Sequence, residues 1–237
     1  MLEFSKEDIK NMFIDTSLKQ LLLFYRDHKD IFTPFSNQKE KREIIKKLYN
    51  ILEYDSKPQL NTEMKPTIVN GLLVHRGISA SSKEELISYI REFINGEVFY
   101  GGRASIYGTG IYTAVGEDIN VASKYATDGN TNDVGIVITS VLKDETKIIS
   151  SEDLHEIKDI VLERLKKAYK NMDNYLSILE DDGAFAAILG YDAIYVKEKE
   201  YMVILNRSKL IVYDNQIMHD LKRISEEKSR WYSDNHM

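Results

Sequence analysis

Glu198 and Glu200 flank Lys199 just ahead of a β-type run over residues 201–205. Side chains alternate along a strand, so two acids two residues apart place both carboxylates on one face. Such a pair is either a solvated, charged strand edge or a site in which one carboxylate steadies a cation while its neighbour orients or deprotonates a nucleophile. In a chain that is 30% charged, the triplet alone favours the edge, and other motifs must decide. One is the passage 101–114, GGRASIYGTGIYTA, whose glycines at 101, 102, 108 and 110 exclude a regular helix and suit tight turns or a ligand's close approach to the backbone. Another is His75-Arg76-Gly77, which closes a β-rich run over 68–76.

Composition narrows the chemistry. The 237 residues make one large domain, or a compact domain with an appendage, with ample material for a core. A hydrophobic share of 43% with 15 Tyr and 8 Phe specifies a globule rather than a disordered chain. A net charge of −6 leaves no overall electrostatic footprint for wrapping duplex nucleic acid. Cysteine is absent and the five histidines (28, 75, 155, 219, 236) show no ligand spacing, so no metal is implied. The opening MLEFSKEDIKNMF has neither a basic stretch nor a long apolar core, and no apolar run approaches a membrane span, so the expectation is a protein that meets no membrane and is cytoplasmic, in the producing or the target cell, or is delivered by a machine that reads no cleavable signal here.

Periodicity supplies the elements that would position these residues. Residues 5–54 read as three helices, with Leu18, Leu21, Leu22 and Tyr25 at helical spacing and Pro34 before the third. The segment 55–66, with Pro58 and Pro66, is the boundary, giving an N-terminal helical subdomain over 1–60, a main domain over 61–213 and a C-terminal helix over 214–237 that carries Trp231. Ser82-x-x-Glu85 is a capping box that opens a helix to about Asn95. A short strand over 97–100, a helix over 117–126, a buried strand over 134–142, a short strand over 147–149, helices over 151–170 and 171–189, and strands over 193–196, 201–205 and 210–212 complete the chain. Helices first, then strands interrupted by helices, define α+β rather than a doubly wound order. The glycine passage matches neither GxGxxG nor GxxxxGK.

Three separated pieces together resemble the ADP-ribosyltransferase superfamily: His75-Arg76-Gly77, Gly108-Thr109-Gly110-Ile111-Tyr112 trailed by Ala122-x-x-Tyr125, and Glu200-Tyr201-Met202-Val203. Gly-x-Gly-Ile-Tyr is similar to the nicotinamide-pocket segment of the polymerase and diphtheria-toxin-like branch (His-Tyr-Glu), and Glu-Tyr-hydrophobic-Val to its catalytic strand. Arg76-Gly77 and Glu198-x-Glu200 are similar to the strand and two-glutamate loop of the Arg-Ser-Glu toxins. Ile111-Tyr112-Thr113 stands where that branch has Ser-Thr-Ser, and Ala122 where the polymerase branch has Ser, so the site reads as a hybrid Arg-Tyr-Glu. The likeness spans about residues 68–213 and extends to domains attached to phage head proteins and bacterial toxins. It implies a split antiparallel β core, with NAD as substrate and no metal.

The resemblance implies a role for each residue. Glu200 would hydrogen-bond the nicotinamide ribose and stabilise an oxocarbenium-like ribose as nicotinamide departs. Glu198 would orient or deprotonate the nucleophile, and a second Glu there goes with arginine-modifying toxins. Arg76 would pair with the NAD phosphates, Gly77 would offer its backbone to the carboxamide, and Gly110 would frame the pocket. Tyr112 and Tyr125 would sandwich the nicotinamide ring, while Tyr107 and Arg103 would line the NAD cleft. His75, pointing away from Arg76, reads as a core histidine and not a base; Asn206 and Arg207 read as turn and structural residues.

The activity so implied is transfer of ADP-ribose to a macromolecule, protein arginine or nucleic acid, by a bacterial or phage toxin or effector. An antitoxin or immunity protein would be its partner. Water as the acceptor would make an NAD glycohydrolase, and loss of catalysis an inactive NAD-binding module.

Overall fold

The computed structural model describes residues 5–54, 57–61, 72–95, 106–116, 119–127, 134–168 and 176–213. Over these the protein is α+β, with strands that pair both parallel and antiparallel. In chain order the elements are α1 (Lys6–Asp27), α2 (Gln38–Ile51), β1 (Gln59–Asn61), β2 (Leu73–Ala80), α3 (Lys83–Asn95), β3 (Ile111–Val115), α4 (Asn120–Thr127), β4 (Val134–Leu142), β5 (Ile148–Ser150), α5 (Ser151–Ala168), α6 (Asp182–Ile188), β6 (Ala193–Val196), β7 (Tyr201–Ile204) and β8 (Leu210–Tyr213). They form two compact units that do not follow chain order. The first is Met1–Tyr54, Tyr100–Ile111 and Lys147–Asn206; the second is Asp55–Phe99, Tyr112–Thr146 and Arg207–Met237.

In the first unit, α1 begins on a capping box. Asp8 N donates to Ser5 Oγ (3.1 Å) and Ser5 N donates to Asp8 Oδ2 (2.9 Å). It then runs unbroken where two helices were predicted, because residues 14–16, Ile-Asp-Thr, include neither Gly nor Pro to stop it. A 3₁₀ turn, Lys29–Phe32, buries Ile31 and Phe32. α2 opens on Asn37, whose Oδ1 accepts from Lys39 N and Glu40 N. The helices expected as a subdomain over 1–60 share their core with α5 and α6: Ile14, Leu21, Ile45, Leu48 and Tyr49 are buried, as are Leu154, Val161 and Leu165. Within the single helix predicted over 171–189, the described residues instead form a 3₁₀ turn, Ser177–Glu180, and then α6. Asp181 divides them because its side chain caps Ala184 N. β5 pairs parallel with β6, which the connection through α5 and α6 permits, and β6 pairs antiparallel with β7.

The second unit orders its strands β1-β8-β4-β2-β3, parallel at β1–β8 and antiparallel elsewhere. β4 is the strand predicted over 134–142. β2 runs on to Ala80, so Arg76 and Gly77 stand inside a strand and not at its end; β4 pairs with it along its whole length and carries it past them. α3 starts on Ser82, whose Oγ accepts from Glu85 N (3.2 Å), but the Glu85 carboxylate turns to Ser81 N (3.0 Å) rather than closing the predicted box on Ser82. α4 lies against β2 and β4. The strand predicted over 97–100 and the C-terminal helix with Trp231 lie outside the described residues.

Candidate active site

β2 and β3 bring two of the proposed site residues together in the second unit. The strands pair at Val74↔Val115 and His75↔Ala114. One residue further on, Arg76 Nη1 donates to the Tyr112 carbonyl at 3.1 Å. Burial, and then the Arg207 guanidinium, push Arg76 down to about 9, which still leaves it a cation at neutral pH. Arg207 is itself 2% exposed, so this unit holds two inward-set guanidiniums where sequence reading singled out one. The charge of Arg207 carried no signal beyond its place after a turn.

His75, next along β2, is a buried bridge. Its Nε2 lies 2.9 Å from the Gly116 carbonyl, an acceptor only, so Nε2 carries the proton; Nδ1 lies 2.9 Å from Thr139 Oγ1, across the β2–β4 ladder. Both nitrogens are engaged in holding strands together, as a core histidine requires.

Gly77 has a role that the sequence did not show. A Cβ there would lie 1.9 Å from the Ala122 carbonyl oxygen, and one on Gly135 of β4 would lie 1.5 Å from that of Ala126. Gly77 sits opposite Val137, two residues along β4 from Gly135, so both glycines share one sheet face and form the slot that seats α4. Ala122 and Ala126 are buried in that slot, and Tyr125 between them is 53% exposed, leaving its ring open to solvent.

Glu198 and Glu200 belong to the first unit, and their geometry corrects the strand-face argument. Lys197–Lys199 is a 3₁₀ turn, and Glu200 caps it at φ 52°, ψ 37° before β7 begins. Period-two alternation therefore does not relate the two acids. A 3₁₀ turn places residues along its own path, and the left-handed cap then resets the chain direction. Both carboxylates are exposed.

The glycine passage enters β3 through Thr109, which the first unit anchors at three atoms. Its N–H donates to Asp181 Oδ1 (2.9 Å) and its hydroxyl to Asp181 Oδ2 (2.7 Å), while its carbonyl accepts from Tyr49 OH (2.6 Å). Asp181 also accepts from Ala184 N (3.0 Å) and lies 2.9 Å from Lys41 Nζ. Burial is the largest single influence on Asp181 and pushes its pKa up, but the Lys41 ammonium and the Thr109 donors outweigh it and hold the carboxyl below its ordinary range. Gly108, at φ 83°, meets α6 where a Cβ would lie 2.0 Å from Gly183 N. Gly110 packs with 2.6 Å between a built Cβ and Val203 Cγ1, so its immediate neighbour is β7. Tyr107 is half-buried beside them, and Arg103 lies outside the described residues.

Sequence reading missed this clamp. Asp181 ahead of GAFAAIL is an N-cap signature, but the helix drawn over 171–189 ran through it. Asp192 was missed likewise: its Oδ1 accepts from Asn206 Nδ2 (2.7 Å) and its carbonyl from Leu205 N and Asn206 N, so Asn206 ties the end of β7 back to the start of β6. Among the described residues no group of three or more His, Asp or Glu could hold a metal ion, and no helix is long and apolar enough to cross a membrane.

In comparisons with known proteins no family model, no curated protein and no solved structure matches this chain.

Proposed function

We propose that this protein is an NAD-dependent ADP-ribosyltransferase with a split β core of that superfamily, acting as a bacterial or phage effector on a macromolecular acceptor. The observation that carries the proposal is the meeting of Arg76 with the Tyr112 backbone at the point where β2 and β3 leave their paired register. It joins the Arg-Gly piece of the resemblance to the Gly-x-Gly-Ile-Tyr piece. The second guanidinium, Arg207, adds positive charge there for a diphosphate, which two forked cations hold better than one. On the other unit Glu200 keeps a left-handed backbone that glycine would adopt more easily, the kind of local cost that collects at functional residues.

In the proposed reaction the bond between nicotinamide N1 and ribose C1′ breaks, and its electron pair neutralises the pyridinium as nicotinamide leaves. The Glu200 carboxylate stabilises the positive charge that develops on the ribose, and the acceptor's nucleophilic atom then bonds to C1′ after losing its proton, with Glu198 as the base. Arg76 holds the phosphates, and Tyr112 and Tyr125 stack on the nicotinamide ring. The chemistry uses no metal.

The test is release of nicotinamide from NAD in the presence of a host extract. Glu200→Gln keeps the volume and removes the charge, so release should fall by about 10²-fold or more while the circular dichroism spectrum is unchanged. Mass spectrometry of the extract should show ADP-ribose on a macromolecule, and free ADP-ribose alone would instead make the protein a glycohydrolase. No release by the wild type with any extract would end the enzymatic reading.

A further inference from the structure

α2 lies outside the stretch that carries the family resemblance, yet the structure ties it to the glycine passage at two points. Tyr49 donates its hydroxyl to the Thr109 carbonyl (2.6 Å), and the Lys41 ammonium lies 2.9 Å from Asp181 Oδ2. The same carboxylate accepts from the Thr109 N–H and from its hydroxyl. Side chains 60 and 72 positions away therefore engage Thr109 at its N–H, its carbonyl and its hydroxyl.

The flanks of the passage are held as closely. A Cβ on Gly183, in the first turn of α6, would come 2.2 Å from the Thr109 carbonyl oxygen. One on Gly110 would come 2.6 Å from Val203 Cγ1 and 2.9 Å from the Ile204 carbonyl oxygen, both on β7. Glu200 stands immediately before that strand, in the same unit.

Glycines let backbone approach backbone but by themselves leave a chain loose. The polar anchors remove that freedom. A buried ion pair is a poor source of stability, because taking Asp181 and Lys41 out of water costs about as much as their attraction gains, but it does fix one geometry. Connections that only join two elements run over the surface and need no such device. A backbone that must meet a reacting ligand to within about 0.5 Å does need it.

We propose that Lys41 and Tyr49 of α2 are positioning residues of the active site, acting through Asp181 and Thr109 to hold the glycine passage against β7, the strand that Glu200 precedes. The inference rests on the enzymatic reading above, in which Gly110 frames the nicotinamide pocket. It makes α2 part of the site's support rather than an appendage.

The test follows nicotinamide release and hydrogen exchange in the full-length protein. Tyr49→Phe removes one hydroxyl and keeps the buried ring, so kcat should fall about tenfold while KM for NAD changes little, because Arg76 is the proposed phosphate ligand. Lys41→Met should act alike, and Lys41→Arg, which keeps the cation, should retain most of the rate. Ile14→Ala empties core space on α1 and removes no polar group; it should lower the melting temperature at least as far with kcat unchanged, which separates positioning from stability. Exchange needs no activity: Tyr49→Phe should speed it at the Thr109 amide by about tenfold and leave residues 134–142 as protected as in the wild type. A wild type that releases no nicotinamide ends the enzymatic reading and this role with it. Given an active wild type, three results would each overturn the positioning role alone: wild-type kcat in Tyr49→Phe and Lys41→Met, a kcat loss in Ile14→Ala equal to theirs, or unchanged exchange at Thr109.

Discussion

Glu200 carries both a catalytic and a conformational prediction, and the two oppose each other. A side chain in the left-handed region costs about 1 kcal/mol or more, because its Cβ crowds the following carbonyl. Glu200→Gly should therefore raise stability by about 0.5–1 kcal/mol in urea unfolding and abolish nicotinamide release as fully as Glu200→Gln. A surface residue without a role would gain the stability and lose nothing. Arg76→Lys keeps the charge but not the fork, so apparent affinity for NAD should fall by about 10–100-fold with kcat less affected; steady-state kinetics reads the split. Asp181 makes a residue-scale prediction about pH. Its folded pKa is depressed, so its contribution is present above the ordinary carboxylate value of about 4 and drains away as pH falls through the folded value. Thermal melts from pH 7 to pH 3 should show that loss, and Asp181→Asn should flatten it. Removing the carboxylate outright, Asp181→Ala, strands Lys41 and should cost about 3–5 kcal/mol.

At the scale of elements, the glycine slot under α4 decides how close a helix approaches a sheet. Backbone oxygens of Ala122 and Ala126 fill the space that side chains on β2 and β4 would take. Gly135→Ala should cost about 3 kcal/mol or more, at the upper end for an overpacked site, because the obstacle is backbone and cannot rotate away. Gly77→Ala should do the same and also displace α4, which carries Tyr125. A denaturation midpoint that shifts without a change in slope would identify this as lost stability. The 3₁₀ turn over Lys197–Lys199 is the opposite case: it has no buried residue, so packing leaves Lys197 and Lys199 free to vary, provided Glu198 and Glu200 keep their places.

For the whole molecule, the two units draw on distant parts of the chain, so neither is a contiguous segment. Residues 5–54 contribute Ile14, Leu21, Ile31, Phe32, Ile45, Leu48 and Tyr49 to the first unit's core, and they supply Lys41 and Tyr49 to the clamp on Thr109. Deleting residues 1–54 should therefore leave no folded remainder in that unit. Limited proteolysis and loss of cooperative melting would show it; a stable, cooperative 55–237 fragment would contradict it.

Local chemistry made much of this legible beforehand. Val134–Leu142 is a strand because its β-branched centre, Ile136–Thr139, favours an extended backbone, and Asn37 starts a helix because its side chain caps the first free N–H groups. The α+β class and the absence of thiolate chemistry followed from pattern and composition. Only the tertiary structure decided that Arg76 reaches Tyr112, that Gly77 and Gly135 share a slot, and that Asp181 holds Thr109 from 72 positions away. Those contacts join residues far apart in the chain, and helical or strand periodicity reports only on neighbours; what brings distant side chains together is the packing of whole elements, which no single stretch encodes.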